Sequence, residues 1–271
     1  MATILACRDL RRKLIQENRE MLYSIGSDKK PSLLIIDKSH SKENETYTNQ
    51  IMKACEESGI ICIKSDEIKL SYIKNQYDGI IVLNPFDREE VMSRIDPSVD
   101  IDGITYHNLG RTVLKNPDYY SIPCTAAAVL KIIKYFEIPT RGINTVIIGR
   151  SPTIGMPVSN LLINMDANVS VFHSKSGKDN IIDACHKANL IILATNQVAY
   201  YDKRFFGDNK PVIIDCGFGM IDGKPYGCLD TRDEAIMNTI TAYTPVPGGV
   251  GMITPAILCR NVIENFRCRR S

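Results

Sequence analysis

Short apolar runs of strand length alternate with stretches of helical period along the whole chain. The runs are rich in β-branched residues and apolar on both faces, which is typical of parallel strands covered on both sides. Their alternation with helices implies right-handed crossovers and a doubly wound α/β sheet. The predicted strands are Ser32–Ile36, Gly59–Ile63, Gly79–Leu83, Thr145–Ile148, Val169–Phe172, Leu190–Leu193 and Val212–Ile214.

One helix follows closely from the pattern. Its apolar residues recur at positions i, i+3, i+4 and i+7, and they are Val129, Ile132, Ile133 and Phe136. Thr125 is the predicted N-cap, and the pattern stops before Pro139, where a proline cannot continue the helix.

This helix and its approach, around residues 116–125, predict a hinge between two lobes. The first lobe, residues 1–119 and 250–271, is expected to hold three strands. The second lobe, residues 120–249, is expected to hold four strands as a Rossmann-type parallel sheet. Beyond about Pro247 the chain is predicted to be helical again, and this C-terminal helix is expected to pack back on the first lobe.

Composition narrows the class of protein. The 271 residues carry a formal net charge of +2, which predicts no broad electrostatic surface for nucleic acid or for an anionic membrane. Nine scattered cysteines without a Cys-x-x-Cys pair predict a reduced protein and no metal site. No apolar run approaches the roughly 20 residues of a membrane span, so we expect a cytoplasmic protein.

The clearest local signal is the junction that follows the strand Thr145–Ile148. A buried strand runs into Gly149, a short loop containing Arg150 and Ser151, and a helix that begins near Gly155. Such a junction lets backbone N–H groups and a helix N-terminus meet a pyrophosphate. The spacing differs from Gly-x-Gly-x-x-Gly, so alone it fits a plain βαβ turn as well as a dinucleotide site.

The end of the next strand bears on the cofactor. In a dinucleotide fold an acid at this point binds the 2′-hydroxyl of NAD, whereas basic or hydroxyl groups accept the 2′-phosphate of NADP. No acid occurs in His173–Ser176, and Ser174 and Lys175 are present, with Arg150 in the preceding loop. The chemistry favours NADP and leaves NAD possible, and Lys175 is equally compatible with a solvated loop.

At this point the sequence resembles the bifunctional methylenetetrahydrofolate dehydrogenase/methenyltetrahydrofolate cyclohydrolase family. The matching blocks occur in the family's order with nearly its spacing, and they span almost the whole chain. The blocks are Lys53–Ile60, Gly79–Val82, Asp100–Gly103, Asn108–Gly110, Pro123–Thr125, Gly149–Pro157, His173–Ser176 and Thr244–Gly251.

The resemblance implies two α/β lobes, a folate substrate in the cleft between them, NAD(P) on the second lobe and a cytosolic homodimer. It implies that Asp102 binds the pterin, which offers an N–H and an amino group side by side to a carboxylate. Tyr47 is implied to pack on the folate and to act with Asp102 in catalysis. The implied substrate loop is Pro247, Gly248 and Gly249, and the implied cofactor contacts are Thr125, Gly149, Arg150, Ser151, Gly155 and Ser174.

Two departures from the family concern its catalytic polar groups. The family has a lysine four residues after the tyrosine, on the same helix face, but here Ile51 follows Tyr47 at that spacing. Lys53 lies about 120° away around the helix and matches a different family lysine. Leu83 stands where the family has the glutamine that partners the catalytic lysine.

Hydride transfer requires mainly aligned placement of donor and acceptor, whereas opening the methenyl ring requires water addition with proton transfers. We therefore expect a dehydrogenase whose cyclohydrolase activity is weak or absent. The first alternative is a catalytically degenerate folate- or nucleotide-binding protein that serves as a regulator or dimer partner. The second alternative is a two-lobed amino-acid-type dehydrogenase, for which the Pro245–Gly251 loop has no reason to exist.

Overall fold

The computed structural model describes residues 1–39, 41–66, 76–83, 85–114 and 122–269. The chain forms two compact units. The first, named the six-stranded unit, comprises Met1–Leu10 and Thr125–Ile253. The second, named the three-stranded unit, comprises Arg11–Cys124 and Thr254–Ser271.

The strands and helices are numbered in chain order. The strands are β1 (Thr3–Ile4), β2 (Ser32–Ile36), β3 (Ile61–Ser65), β4 (Gly79–Val82), β5 (Asn144–Ile148), β6 (Asn168–Phe172), β7 (Leu190–Leu193), β8 (Val212–Asp215), β9 (Gly219–Ile221), β10 (Lys224–Tyr226) and β11 (Ala242–Tyr243). The α-helices are α1 (Arg8–Ile25), α2 (Lys42–Ser58), α3 (Arg88–Arg94), α4 (Tyr106–Val113), α5 (Cys124–Tyr135), α6 (Gly155–Ile163), α7 (Lys178–Cys185) and α8 (Val250–Cys268).

The six-stranded unit is built on a parallel sheet with the order β1-β11-β8-β7-β5-β6. Strand β5 lies between β6 and β7, so the chain reverses its direction of winding at β5. A crevice for a ligand is expected outside the carboxyl end of a strand at such a switch point. One face of the sheet packs on a core that includes Ile148, Leu193, Tyr201, Phe205 and Ile213.

The three-stranded unit contains a smaller parallel sheet with the order β3-β2-β4. Leu34, Ile80 and Val82 pack there against Val91 of α3. In the same unit the C-terminal part of α8 packs closely. The Asn18 side chain donates to the Ala256 carbonyl at 2.8 Å, and a Cβ on Gly79 would lie 2.8 Å from Val262.

The predicted α/β class, the Rossmann-type parallel sheet and the C-terminal helix that packs back are confirmed. The expected four strands of the second sheet are six, because the two-residue strands β1 and β11 extend it. The second predicted strand begins at Ile61 rather than Gly59, since Gly59 ends α2 in the left-handed conformation.

Thr125 is not the cap residue that the sequence predicts, because α5 already begins at Cys124 and Thr125 lies in its first turn. Strand β1 pairs with β11, which places residues 1–10 in the six-stranded unit. No helix in the described part of the chain combines the length and apolar composition that crossing a bilayer requires.

Candidate functional site

The loop after β5 is shaped by two glycines that nothing larger could replace. Gly149 has a φ of 127°, and a Cβ there would lie 2.1 Å from the Ala194 carbonyl oxygen. A Cβ on Gly155 would lie 2.1 Å from the carbonyl oxygen of Gly149. Both separations are far inside van der Waals contact, so the backbone of this loop packs too closely for any side chain. The result is a tightly packed loop at the switch point of the sheet, and residues 149–155 are called the cradle below.

Ser151 holds this cradle at the start of α6. Its Oγ accepts hydrogen bonds from the N–H groups of Ile154 at 3.1 Å and Gly155 at 3.4 Å. Two of the N–H groups that a helix leaves unpaired at its N-terminus are therefore satisfied by one hydroxyl. The positive end of the α6 dipole faces the same loop, which favours an anion such as a pyrophosphate.

The loop after β6 lies beside the cradle. Ile148 pairs with Phe172, and the N–H of Gly149 donates to the Phe172 carbonyl at 2.8 Å, so both loops leave the same edge of the sheet. Ser174 and Lys175 are exposed in the second loop, and Arg150 is exposed in the first. This edge presents hydroxyl and cationic groups, and the segment from Asn168 to Lys178 has no acidic residue.

The segment Pro245–Gly249, called the proline-glycine loop, immediately precedes α8 in the six-stranded unit. The peptide bond between Val246 and Pro247 is cis, and Gly248 has a φ of 111°. A Cβ on Gly249 would lie 2.7 Å from the carbonyl oxygen of Pro245. The Gly248 carbonyl accepts from the N–H of Cys7 at 2.9 Å, which ties the loop to the N-terminal segment.

Two residues that sequence reasoning missed hold this loop on the sheet. The N–H of Asp215 donates to the Thr244 hydroxyl at 2.8 Å, next to the proline-glycine loop. The buried carboxylate of Asp215 accepts from the N–H groups of Gly217 and Leu229, each at 2.8 Å. Burial raises the pKa of this carboxyl group, and those backbone hydrogen bonds act in the opposite direction. The only sequence signal was an acid ending an otherwise apolar strand.

In the three-stranded unit the segment Asp100–Gly103 contains two acids, Asp100 and Asp102, whose hydrogen-bond partners differ. Asp100 is fully buried and accepts from the N–H groups of Ile104 and Thr105 and from the Asn108 amide. Asp100 therefore fixes the turn and the start of α4.

Asp102 is held differently. It accepts hydrogen bonds from the thiol and the backbone N–H of Cys124, and the thiol of Cys124 also contacts the Ile101 carbonyl at 3.1 Å. Burial raises the pKa of Asp102 to about 7, with a further contribution from the charge of Asp100, while the Cys124 hydrogen bonds lower it. The carboxyl group therefore changes its ionisation near neutral pH.

Tyr47 lies on α2, close enough to Asp102 for that charge to act on its phenol. The pKa of Tyr47 is raised well above its ordinary value, first by burial and then by Asp102, Cys124 and Cys259. The phenol therefore stays protonated and can donate a hydrogen bond. The structure thus brings together Tyr47 and Asp102, which the sequence places 55 positions apart.

The two apolar residues that replace polar residues of the family pattern, Ile51 and Leu83, are both buried. Ile51 is 0% exposed on α2, one turn after Tyr47, and Leu83 is 5% exposed directly after β4. Lys53 is exposed, which agrees with its predicted place on another side of the helix. Across the described residues, no three His, Cys, Asp or Glu side chains are grouped as metal ligands would be.

Comparison with known proteins identifies a family. Residues 123–270 match the family described as tetrahydrofolate dehydrogenase/cyclohydrolase, NAD(P)-binding domain. The chain is 31% identical over 281 aligned residues to the bifunctional protein FolD of Dictyoglomus turgidum, covering 97% of this chain and 98% of the relative.

Solved structures agree. The bifunctional FolD methylenetetrahydrofolate dehydrogenase/cyclohydrolase of Campylobacter jejuni superposes with a TM-score of 0.89 at 29% identity and covers 100% of both chains. A 5,10-methylenetetrahydrofolate dehydrogenase from the silkworm Bombyx mori superposes with a TM-score of 0.87 at 29% identity, covering 100% of this chain and 99% of that chain.

Proposed function

The chain belongs to the tetrahydrofolate dehydrogenase/cyclohydrolase family, and from that premise we propose that it oxidises 5,10-methylenetetrahydrofolate with NADP and has little or no cyclohydrolase activity. One observation carries the proposal. Tyr47 and Asp102 lie together, while Ile51, at the family's lysine position on the same helix, is fully buried and apolar. The groups that bind a folate are therefore kept, and the group that would handle water is replaced.

The chain's own residues account for binding and orientation. Ionised Asp102 accepts the paired donors of the pterin, and the protonated Tyr47 packs on the folate and donates a hydrogen bond. The loop from Gly149 to Gly155 fits a pyrophosphate, because it leads from a strand at the switch point of the sheet into the positive end of the α6 dipole. A nicotinamide cofactor held by this loop would supply the acceptor for a hydride from the methylene carbon of the substrate. The residues Pro247, Gly248 and Gly249 are proposed to line the substrate as backbone.

For hydrolysis of the methenyl ring, positions 51 and 83 provide no comparable set of polar side chains. Water addition to the methenyl carbon needs a positioned proton donor and acceptor, each worth typically about 10²–10⁴-fold in rate. Isoleucine at 51 and leucine at 83 have no titratable or hydrogen-bonding side-chain atoms. The proposed product of the enzyme is therefore the methenyl compound, released or hydrolysed slowly.

The test is a pair of assays on one preparation. NADPH formation from methylenetetrahydrofolate is followed alongside hydrolysis of methenyltetrahydrofolate, with a bifunctional FolD relative as the reference for both rates. We expect NADPH formation and a hydrolysis rate at least about 100-fold below the reference. Hydrolysis at the reference rate would refute the loss of the second activity.

A second candidate is a degenerate folate- or nucleotide-binding partner, which the replacement of both catalytic polar groups favours. That protein would bind NADP and a folate without forming NADPH. The cofactor-reduction assay, combined with calorimetric binding of each ligand, distinguishes it from the dehydrogenase.

We also propose that the protein is a homodimer, as the family resemblance implies. In support, β3 is an edge strand of the three-stranded sheet, and its Ile61 and Ile63 side chains are 47% and 40% exposed. Apolar edge strands are normally covered. Light scattering on the purified chain measures the mass directly, and a monomer would contradict this assignment.

The pKa of Asp102 predicts how folate binding depends on pH. Because the pterin donors need an ionised acceptor, kcat/KM for methylenetetrahydrofolate should fall about tenfold per pH unit below about pH 7 and level off above it. The measurement is kcat/KM from about pH 6 to about pH 8.5 at saturating NADP. In Asp102→Asn the residual activity should lack this slope, and an unchanged profile in the variant would contradict the assignment.

The residues of the loop after β6 predict a preference for NADP over NAD. Ser174→Asp places a carboxylate where the 2′-phosphate of NADP is expected, so kcat/KM for NADP should fall about 100-fold while that for NAD is maintained. Ser170→Asp makes the same change at an exposed position on β6 and serves as the control. Equal losses for both cofactors in Ser174→Asp would show that the side chain does not face the 2′ position.

A further inference from the structure

An asparagine in the interior of α8 directs its side chain at the segment Asp100–Gly103. The Asn261 amide donates to the Ile101 carbonyl at 2.9 Å and to the Cys124 sulfur at 3.5 Å. Asparagine is a poor residue for the middle of a helix, because its side chain competes for hydrogen bonds with the backbone. The two contacts therefore indicate that this side chain has a tertiary role.

The thiol of Cys124 closes a triangle with the same two groups. It donates to the Ile101 carbonyl at 3.1 Å, so that carbonyl accepts from an amide and from a thiol. Ile101 and Cys124 are both 0% exposed. Because the two lone pairs of this buried carbonyl are occupied by side chains, the plane of its peptide group is fixed.

That peptide group leads directly into Asp102. Its carbonyl belongs to Ile101 and its nitrogen to Asp102, so the plane that Asn261 and Cys124 hold sets the position of the Asp102 backbone. The Ile101 side chain is confined as well, because a Cβ on Gly79 of β4 would lie 2.7 Å from its Cγ2 atom. The approach to Asp102 is therefore anchored from α8 and from β4.

The chain after Asp102 is anchored by another residue. The carboxylate of Asp100 accepts from the N–H groups of Ile104 at 3.2 Å and Thr105 at 2.8 Å. Asp102 therefore lies between two fixed points, the carbonyl held by Asn261 and the turn held by Asp100. A carboxylate supported on both sides keeps one orientation, which paired hydrogen bonds to a ligand require.

We propose that Asn261 is a positioning residue for substrate binding, which holds the Ile101 carbonyl and thereby orients the Asp102 carboxylate toward the pterin. This inference rests on the folate-binding role proposed for Asp102, and it extends the folate site to α8. A binding group must be held within about 0.5 Å of its productive position by its neighbours. Asn261 supplies that support through one peptide group.

Asn261→Leu tests the role by removing the donor at similar volume, with a residue that favours helices. The Ile101 carbonyl keeps the Cys124 thiol as a partner, so no buried acceptor is left unsatisfied and the variant should fold. We expect KM for methylenetetrahydrofolate to rise about fivefold with kcat within about twofold of the wild type, because a pterin contact acts equally in ground and transition states. Steady-state kinetics at saturating NADP measure both constants.

Asn265→Leu is the matched control. Asn265 lies one turn later on α8, is half-buried like Asn261, and donates to the Asp78 carbonyl at 3.4 Å. The substitution removes the same kind of amide-to-carbonyl contact at a different carbonyl, so KM should stay within about twofold of the wild type. Equal rises in KM for the two variants would reveal a general effect on α8 and would overturn the positioning role.

The conservative variant Asn261→Gln separates the hydrogen bond from the shape of the side chain. It keeps the amide on a stem that is one methylene longer, so it should recover at least half of the loss seen in Asn261→Leu. A rise in KM as large as that of the leucine variant would contradict the role assigned to the donor. Circular dichroism and the Kd for NADP verify that each variant keeps the fold.

A double-mutant cycle shows whether Asn261 acts through Asp102. The Kd for tetrahydrofolate is measured by calorimetry on the wild type, Asn261→Leu, Asp102→Asn and the double variant. Asn261→Leu should raise this Kd about fivefold in the wild type and less than about twofold in Asp102→Asn, because the carboxylate that it positions is absent there. A fivefold rise in both backgrounds would show that Asn261 acts independently of Asp102.

Calorimetry also keeps this inference separate from the dehydrogenase assignment, since binding requires no turnover. A wild-type protein that binds tetrahydrofolate without forming NADPH would refute the dehydrogenase, and the cycle would still decide the role of Asn261. A wild-type protein that binds no tetrahydrofolate would refute both.

Discussion

Asp102→Asn should lower kcat/KM for methylenetetrahydrofolate by about 10- to 100-fold. The change keeps the shape of the side chain but removes the charge and one of the two acceptor positions offered to the pterin. A hydrogen bond to a charged group contributes about 1.5–3 kcal/mol, and each 1.4 kcal/mol is about tenfold in affinity. The Asn amide would also face the Cys124 thiol and N–H, which now donate to the carboxylate. Steady-state kinetics with varied folate at saturating NADP measure the loss.

The same variant has a built-in control for folding. Asp102 belongs to the three-stranded unit and the glycine cradle to the six-stranded unit, so the Kd for NADP should stay within about twofold of the wild type. The midpoint temperature of thermal unfolding should not fall in this variant. Burial disfavours the ionised form of Asp102, and the amide that replaces it carries no charge. A folded variant with wild-type KM for folate would remove Asp102 from the substrate site.

The sequence predicted most of the fold because its signals were local. Runs such as Leu190–Leu193 are apolar throughout and fully buried, as parallel strands covered on both faces should be. The two-residue strands β1 and β11 escaped because they are too short to carry a period, and their pairing joins segments about 240 positions apart. The start of β3 was misplaced because an apolar run does not reveal that Gly59 still terminates the preceding helix.

The candidate site was predicted less completely, for a related reason. The roles assigned to Asp102 and Tyr47 came from family order, and no local pattern shows that Cys124 donates to that carboxylate. Asn261 is a second example: its amide donates to the Ile101 carbonyl at 2.9 Å and lies 3.5 Å from the Cys124 sulfur. Such contacts depend on tertiary packing, so the residues that surround Asp102 and Tyr47 are harder to predict from sequence than Asp102 and Tyr47 themselves.

Restoring cyclohydrolase activity should require changes at two buried positions together, Ile51 and Leu83. The double variant Ile51→Lys/Leu83→Gln should hydrolyse methenyltetrahydrofolate about 10²–10³-fold faster than the wild type, because a placed amine and its amide partner restore proton transfer to the attacking water. Ile51→Lys alone should gain little. Ile51 is 0% exposed, so a lone ammonium there is buried without its partner and loses its charge as its pKa falls. Hydrolysis of the methenyl compound is measured directly, and NADPH formation is measured beside it.

Ile51→Met with Leu83→Met is the matched control, since it introduces unbranched side chains of similar length that cannot transfer protons. It should leave hydrolysis at the wild-type rate. The single Ile51→Lys variant should unfold about 6–12 °C below the wild type, as expected for about 3 kcal/mol lost on burying an unpaired amine, and adding Leu83→Gln should recover part of that loss. A gain in hydrolysis without such recovery would show that the two side chains do not meet. No gain in a folded double variant that still forms NADPH would show that ring opening needs more than these two groups, and that the apolar pair is not the sole reason for its loss.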